Sequence, residues 1–118
     1  MVAKNVIKKF GRQIGEQFGA ERVILFGSHA RGKATADSDV DILVLRREGD
    51  PETKYRGIVN HLRRGRIPFK EGKGPMEVDL CLMDEIAYQA ELRQPPSPNG
   101  DGIFYRTINR TGKVLFQR

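Results

Sequence analysis

Asp39 and Asp41 open an apolar run, Val40 to Leu45, and no lysine or arginine stands beside either of them. A run of this kind reads as a strand with buried faces. Side chains alternate along a strand, so the two acids share a face with their Cα atoms about 6.5–7 Å apart. Like charges at that distance repel, and one carboxyl tends to stay protonated. A cation between them removes the repulsion. Hard cations such as Mg²⁺ take oxygen ligands, hold few protein carboxylates, and complete their shell with water and substrate phosphates. The spacing fits a Mg²⁺–nucleotide site at the start of the strand.

The rest of the chain predicts a setting for that strand. Val2, Val6, Ile7, Phe10, Ile14 and Phe18 recur at helical spacing, which predicts an amphipathic helix over 2–18, stopped by Gly19. "ERVILFG" predicts a buried strand at about 21–26 and "DVDILVLRR" a second at about 39–46. Between them, "SHARGKATADS" predicts a turn and one short helix. Asp50-Pro51-Glu52 looks like a helix start, with Asp50 capping and the helix running to about Leu62. The basic, glycine-rich "RRGRIPFKEGKG" reads as a loop or as an extended partner surface. "PMEVDLCLMD" predicts a third strand, about 76–83, followed by a helix from Asp84. "PPSPNGDG" is a loop, "IFYRTINRTG" a short helix, and "KVLFQ" a terminal strand. Strands alternating with helices predict an α/β or α+β domain: a mixed sheet of about four strands with helices packed on one face. The 118 residues suit a single domain, with its core over 20–118.

A third acid, Asp79, sits inside the third predicted strand, where an ionised carboxylate is costly unless paired or metal-bound. If that strand lies beside the second in the right phase, three carboxylates converge. That is enough for two metal ions about 3.5–4 Å apart. Glu77 is the reserve candidate. Gly27-Ser28 follows the first strand. Glycine permits close backbone approach, and Ser28 offers a hydroxyl and an N–H at the predicted start of the short helix. Arg31 adds a charge that can fork onto phosphate oxygens. Each feature alone has a plain structural explanation; the combination in this order is far more specific.

These residues carry a resemblance. "GSHARGKATADSDVDILVL" resembles the signature of the DNA polymerase β-like nucleotidyltransferase superfamily: Gly-Ser, Arg-Gly, then Ser-Asp-x-Asp and an apolar run. Gly27, Ser28, Ala30, Arg31, Gly32, Ser38, Asp39 and Asp41 match, and Asp79 falls at the third acid. "YRTINRTGKVLF" is similar to the end of the small stand-alone members called minimal nucleotidyltransferases. The resemblance implies that Asp39, Asp41 and Asp79 hold two Mg²⁺ ions, with Mn²⁺ as the alternative. It implies that Gly27, Ser28, Arg31 and Ser38 bind the nucleotide phosphates of ATP or another NTP. Attack on the α-phosphorus would release pyrophosphate and leave a nucleoside monophosphate, AMP from ATP, on an acceptor hydroxyl, with Asp79 helping to deprotonate it. It further implies a small helical HEPN-type protein as partner, the chain being the antitoxin half of a toxin–antitoxin pair. His29 falls at a position that varies freely in the pattern and is expected on the surface.

Composition sets the remaining bounds. Hydrophobic residues make up 38% and charged residues 31%, a globular balance. No apolar run approaches the ~20 residues that span a bilayer. The one cysteine, Cys81, lies in an apolar run and is expected as a small buried hydrophobe, which points to an intracellular, cytoplasmic protein. The net charge of +6 favours a polyanionic partner such as nucleotide, RNA or an acidic protein. Exposed helices on so small a domain could also form a homodimer face. Two other functions fit the same composition. One is a silent interaction module that neutralises a partner by covering it. The other is a basic RNA-binding domain, against which three acids on one face argue.

Overall fold

The computed structural model describes residues 4–35, 38–55, 78–95 and 103–118. Glu77, the basic segment 62–74, most of the helix expected from Asp50 and most of the "PPSPNGDG" loop lie outside the described residues.

Four strands form one mixed sheet: β1 (Arg22–Phe26), β2 (Val40–Arg46), β3 (Val78–Asp84) and β4 (Lys113–Gln117). Their spatial order is β3-β2-β1-β4. β1 runs antiparallel to β2 and β4, whereas β2 and β3 are parallel. Among the described residues the α-helices are α1 (Lys4–Phe18), α2 (Glu85–Arg93) and α3 (Ile103–Thr111). This is the expected α+β domain with a mixed sheet.

The helices lie against both faces of the sheet, not one as expected. α1 buries Ile7, Phe10 and Ile14 with Val23, Leu25, Val40, Ile42 and Val44. On the other face, Tyr88 of α2 and Ile108 of α3 pack with Ile24, Phe26, Leu43 and Leu45. The reason is visible in the strands. β1 and β2 are apolar at consecutive positions, the pattern of strands covered on both sides. Alternation then puts Asp41 on the α2/α3 face, in phase with Leu43 and Leu45. Asp84 caps α2, its Oδ1 accepting from the N–H groups of Ile86 (2.8 Å) and Ala87 (3.2 Å). Arg22 of β1 ties down the same helix through Glu85, 2.9 Å away.

Gly11 and Gly15, which weaken α1 as a sequence, let β4 approach it. A Cβ at Gly11 would overlap the Leu115 side chain, and one at Gly15 the Phe116 ring. Gly15→Ala improves helix propensity by about 1 kcal/mol. Overpacking a well-filled site costs about 1–3 kcal/mol. The net expectation is a loss of stability, read as a lower urea midpoint with an unchanged slope; an unchanged or higher midpoint would show that Phe116 yields freely.

After β2 the described chain forms a 3₁₀ turn over Glu52–Tyr55. The Asp50 carboxylate accepts from the Tyr55 hydroxyl (2.7 Å) and from Lys54 Nζ (3.1 Å). Those bonds hold the Asp50 carboxyl below its ordinary value of 3.8, while burial first and then the Asp50 contact push the Tyr55 phenol up to about 12. A carboxyl lowered by folding contributes stability above 3.8 that fades as pH falls through its folded value. Tyr55→Phe should therefore lower the melting temperature by several degrees at neutral pH. The difference should shrink below pH 4; a gap that stays constant down to pH 2 would refute the Asp50 contact as its source.

Candidate active site

The two acidic strands meet in register. β2 and β3 are paired with Asp41 opposite Asp79, so parallel alternation sends both side chains to the α2/α3 face at the start of the strands. Asp39 precedes β2 by one residue. Asp39 and Asp79 are exposed and Asp41 is half-buried. Burial raises the Asp41 carboxyl, and the charges of Asp79 and Asp39 raise it further; His29 and Arg31 pull it back. Asp39 and Asp79 thus both lie within electrostatic reach of Asp41. Among the described residues, no three acid, histidine or cysteine side chains are drawn together as a metal cage.

Gly27 joins this cluster to the end of β1. Its φ is +74°, a left-handed conformation, and a Cβ there would overlap Asp41 Oδ2. The glycine thus lets the backbone touch the central carboxylate. From Ser28 to Gly32 the chain forms turns and not the expected short helix. Arg31 N–H donates to the Gly27 carbonyl (3.2 Å), and Lys33 N–H to the Ser28 carbonyl (2.9 Å). The expected phosphate cradle therefore has no helix N-terminus to draw on here; the groups in place are the Gly27-Ser28 turn and the Arg31 side chain.

Ser38 and His29 hold the loop that delivers Asp39. The Ser38 hydroxyl accepts the Thr35 backbone N–H at 2.8 Å and lies 3.2 Å from Thr35 Oγ1. It is engaged within the loop. His29, expected on the surface, is buried, with Nε2 3.4 Å from the Ser38 carbonyl oxygen. Cys81 packs half-buried beside the second core, and burial raises its thiol, with Asp79 and Asp41 adding to the shift.

The structure adds a wall that the motifs did not mark. Phe26, Gly27 and Arg31 face Phe104, Thr107, Ile108 and Thr111 of α3 across a cleft of about 250 Å³. The α3 residues fall at i, i+3, i+4 and i+7, one stripe of the helix. That spacing was readable in "IFYRTINRT", but it reads equally as core.

The donor set suits hard divalent cations. It consists of carboxylate oxygens alone; burial first and then their repulsion raises Asp41, and a cation would relieve the second of these. Acids aligned on adjacent strands, beside a glycine–serine turn and an arginine, make up a site of the phosphoryl- and nucleotidyl-transfer class.

Comparison with known proteins agrees. The chain belongs to the nucleotidyltransferase domain family, whose sequence profile matches residues 7–99. A protein of Methanocaldococcus jannaschii, provisionally named a protein adenylyltransferase, is 37% identical over 83 residues, 70% of this chain and 77% of its own length. The protein adenylyltransferase MntA of Thermococcus cleftensis is 42% identical over 41 residues, 35% of this chain. That match spans 41% of the Thermococcus protein, less than half its length. A crystal structure from Sulfolobus solfataricus, provisionally described as a nucleotidyltransferase, aligns with a TM-score of 0.48 at 22% identity, over 98% of this chain and 90% of that one. No described helix is long and apolar enough to cross a membrane.

Proposed function

We propose that the chain transfers a nucleoside monophosphate, AMP from ATP, to a hydroxyl on a partner protein in the cytoplasm. The partner we infer is a small helical HEPN-type toxin, with this chain as its antitoxin. The observation that carries the reading is the Asp41–Asp79 register beside Gly27, with Asp39 on the adjoining residue. The kinship with protein adenylyltransferases supports AMP as the transferred group and a protein as the acceptor.

Asp39, Asp41 and Asp79 would hold Mg²⁺. Bound there, the ion supplies charge neutralisation on the phosphates and a lowered pKa for the acceptor hydroxyl. The chain's own residues do the rest. The Gly27-Ser28 turn and Arg31 bind the triphosphate and orient its α-phosphorus. The acceptor oxygen forms a bond to that phosphorus, and the α–β bridging P–O bond breaks. Pyrophosphate departs with the electron pair, and a carboxylate oxygen of Asp79 takes the acceptor proton. Positioning accounts for much of the rate in such transfers.

The test uses ATP labelled at the α- or at the γ-phosphate, with Mg²⁺ and the protein encoded beside this one. Only the α-label should move to the acceptor, with one pyrophosphate released per transfer. Neutralisation of the partner with no label moved would replace this reading by a binding-only antitoxin. Label on RNA in place of protein would change the acceptor and keep the chemistry.

A further inference from the structure

Helix α3 lies beyond the residues matched by the family profile, yet it walls a cleft that Gly27 and Arg31 also line. Phe104 is held edge-to-face against Phe26, with ring centroids 5.6 Å apart, and still leaves 51% of its surface exposed. The stripe continues through Thr107 to Thr111, whose hydroxyl donates to the Thr107 carbonyl at 2.7 Å and keeps its own oxygen able to accept. The cleft is lined by Gly27, the residue in contact with Asp41, and by Arg31. A ligand whose phosphates sit on the Gly27-Ser28 turn can therefore reach the α3 wall with its next groups. That wall offers threonine hydroxyls and an exposed aromatic ring, the chemistry that receives a sugar and a base.

We propose that this cleft is the nucleoside subsite, with the base stacked on Phe104 and the ribose along Thr107 and Thr111. The inference rests on the nucleotidyl-transfer reading for the placement of the phosphates. It adds that base recognition comes from α3. A stacking wall of this kind favours the larger purine surface over a pyrimidine.

Binding of ATP, CTP and inorganic tripolyphosphate, each with Mg²⁺, tests the proposal by calorimetry on the whole chain. Phe104→Ala should weaken ATP roughly tenfold, since one base on one aromatic ring contributes about that much. Tripolyphosphate affinity should not change, and the preference for ATP over CTP should narrow. Phe104→Tyr should restore both. Thr107→Val supplies a second variant, expected to weaken ATP and again to spare tripolyphosphate. Unchanged ATP affinity in Phe104→Ala would overturn the subsite; if transfer to the partner then fell, the cleft would hold the acceptor side chain. Equal losses for ATP and tripolyphosphate would also overturn it. The two readings fail separately. A chain that binds ATP through Phe104 but moves no α-label keeps the subsite and loses the transfer. A chain that moves the label with Phe104 silent does the reverse.

Discussion

Replacing Asp39 and Asp41 together by asparagine should reduce nucleotidyl transfer by a factor on the order of a thousand or more and leave the fold at least as stable. The first expectation follows from the charge. Asparagine keeps the shape and one oxygen of each side chain but removes both negative charges from the site, so neither Mg²⁺ nor its triphosphate is held. The second follows from the sign of the Asp41 shift. Its folded carboxyl titrates above 3.8 because it is partly buried and faces Asp79 and Asp39. A raised acid favours folding below its unfolded value and loses that contribution as pH rises through the folded value. At neutral pH, without metal, the ionised carboxylate therefore opposes folding. The asparagine pair should melt at or above the wild type in EDTA near pH 7, and that advantage should vanish as pH falls below 3.8. Melting curves across pH and α-label transfer read the two halves independently. Unfolding of the variant without metal would make these acids structural and would leave the site without its central members.

The phase of the acids was legible because it depends only on the two-residue repeat of a strand. Asp39 and Asp41 had to share a face, and "EVDLCL" had to send Asp79 the same way as Cys81. What the repeat does not contain is the neighbour. That β3 pairs with β2 in parallel, with Asp79 opposite Asp41, depends on the whole crossover. The both-face burial of β1 and β2 was present in their unbroken apolar runs, yet α1 alone was the evident cover. α2 declares its apolar side weakly, and the α3 stripe did not say which face of the sheet it covers. The turn at Ser28–Gly32 was misjudged for a local reason: its i→i+4 and i→i+5 closures borrow helical bonding without continuing it. His29 and Phe104 were missed for the opposite reason. Relative exposure, low for His29 and high for Phe104, is set by the folded packing and leaves no periodic mark in the chain.

Gly27→Ala should cost about a hundredfold in transfer rate, and comparison with Gly32→Ala separates the causes. Both glycines hold left-handed backbones, with φ of +74° and +70°. An alanine at either position bears a similar backbone strain, roughly 1–2 kcal/mol. Their surroundings differ. A Cβ at Gly32 meets nothing within 4 Å, whereas one at Gly27 runs into the Asp41 carboxylate. Asp41 belongs to β2, a central strand buried on both faces, so its main chain cannot retreat. The carboxylate must swing aside, and a displacement of about 1 Å at a reacting centre is enough for a hundredfold loss. The two variants should therefore melt within a few degrees of each other while their transfer rates differ by roughly the same hundredfold. Equal rates would mean that Gly27 serves the turn alone, and that its contact with Asp41 contributes nothing to how the nucleotide is held.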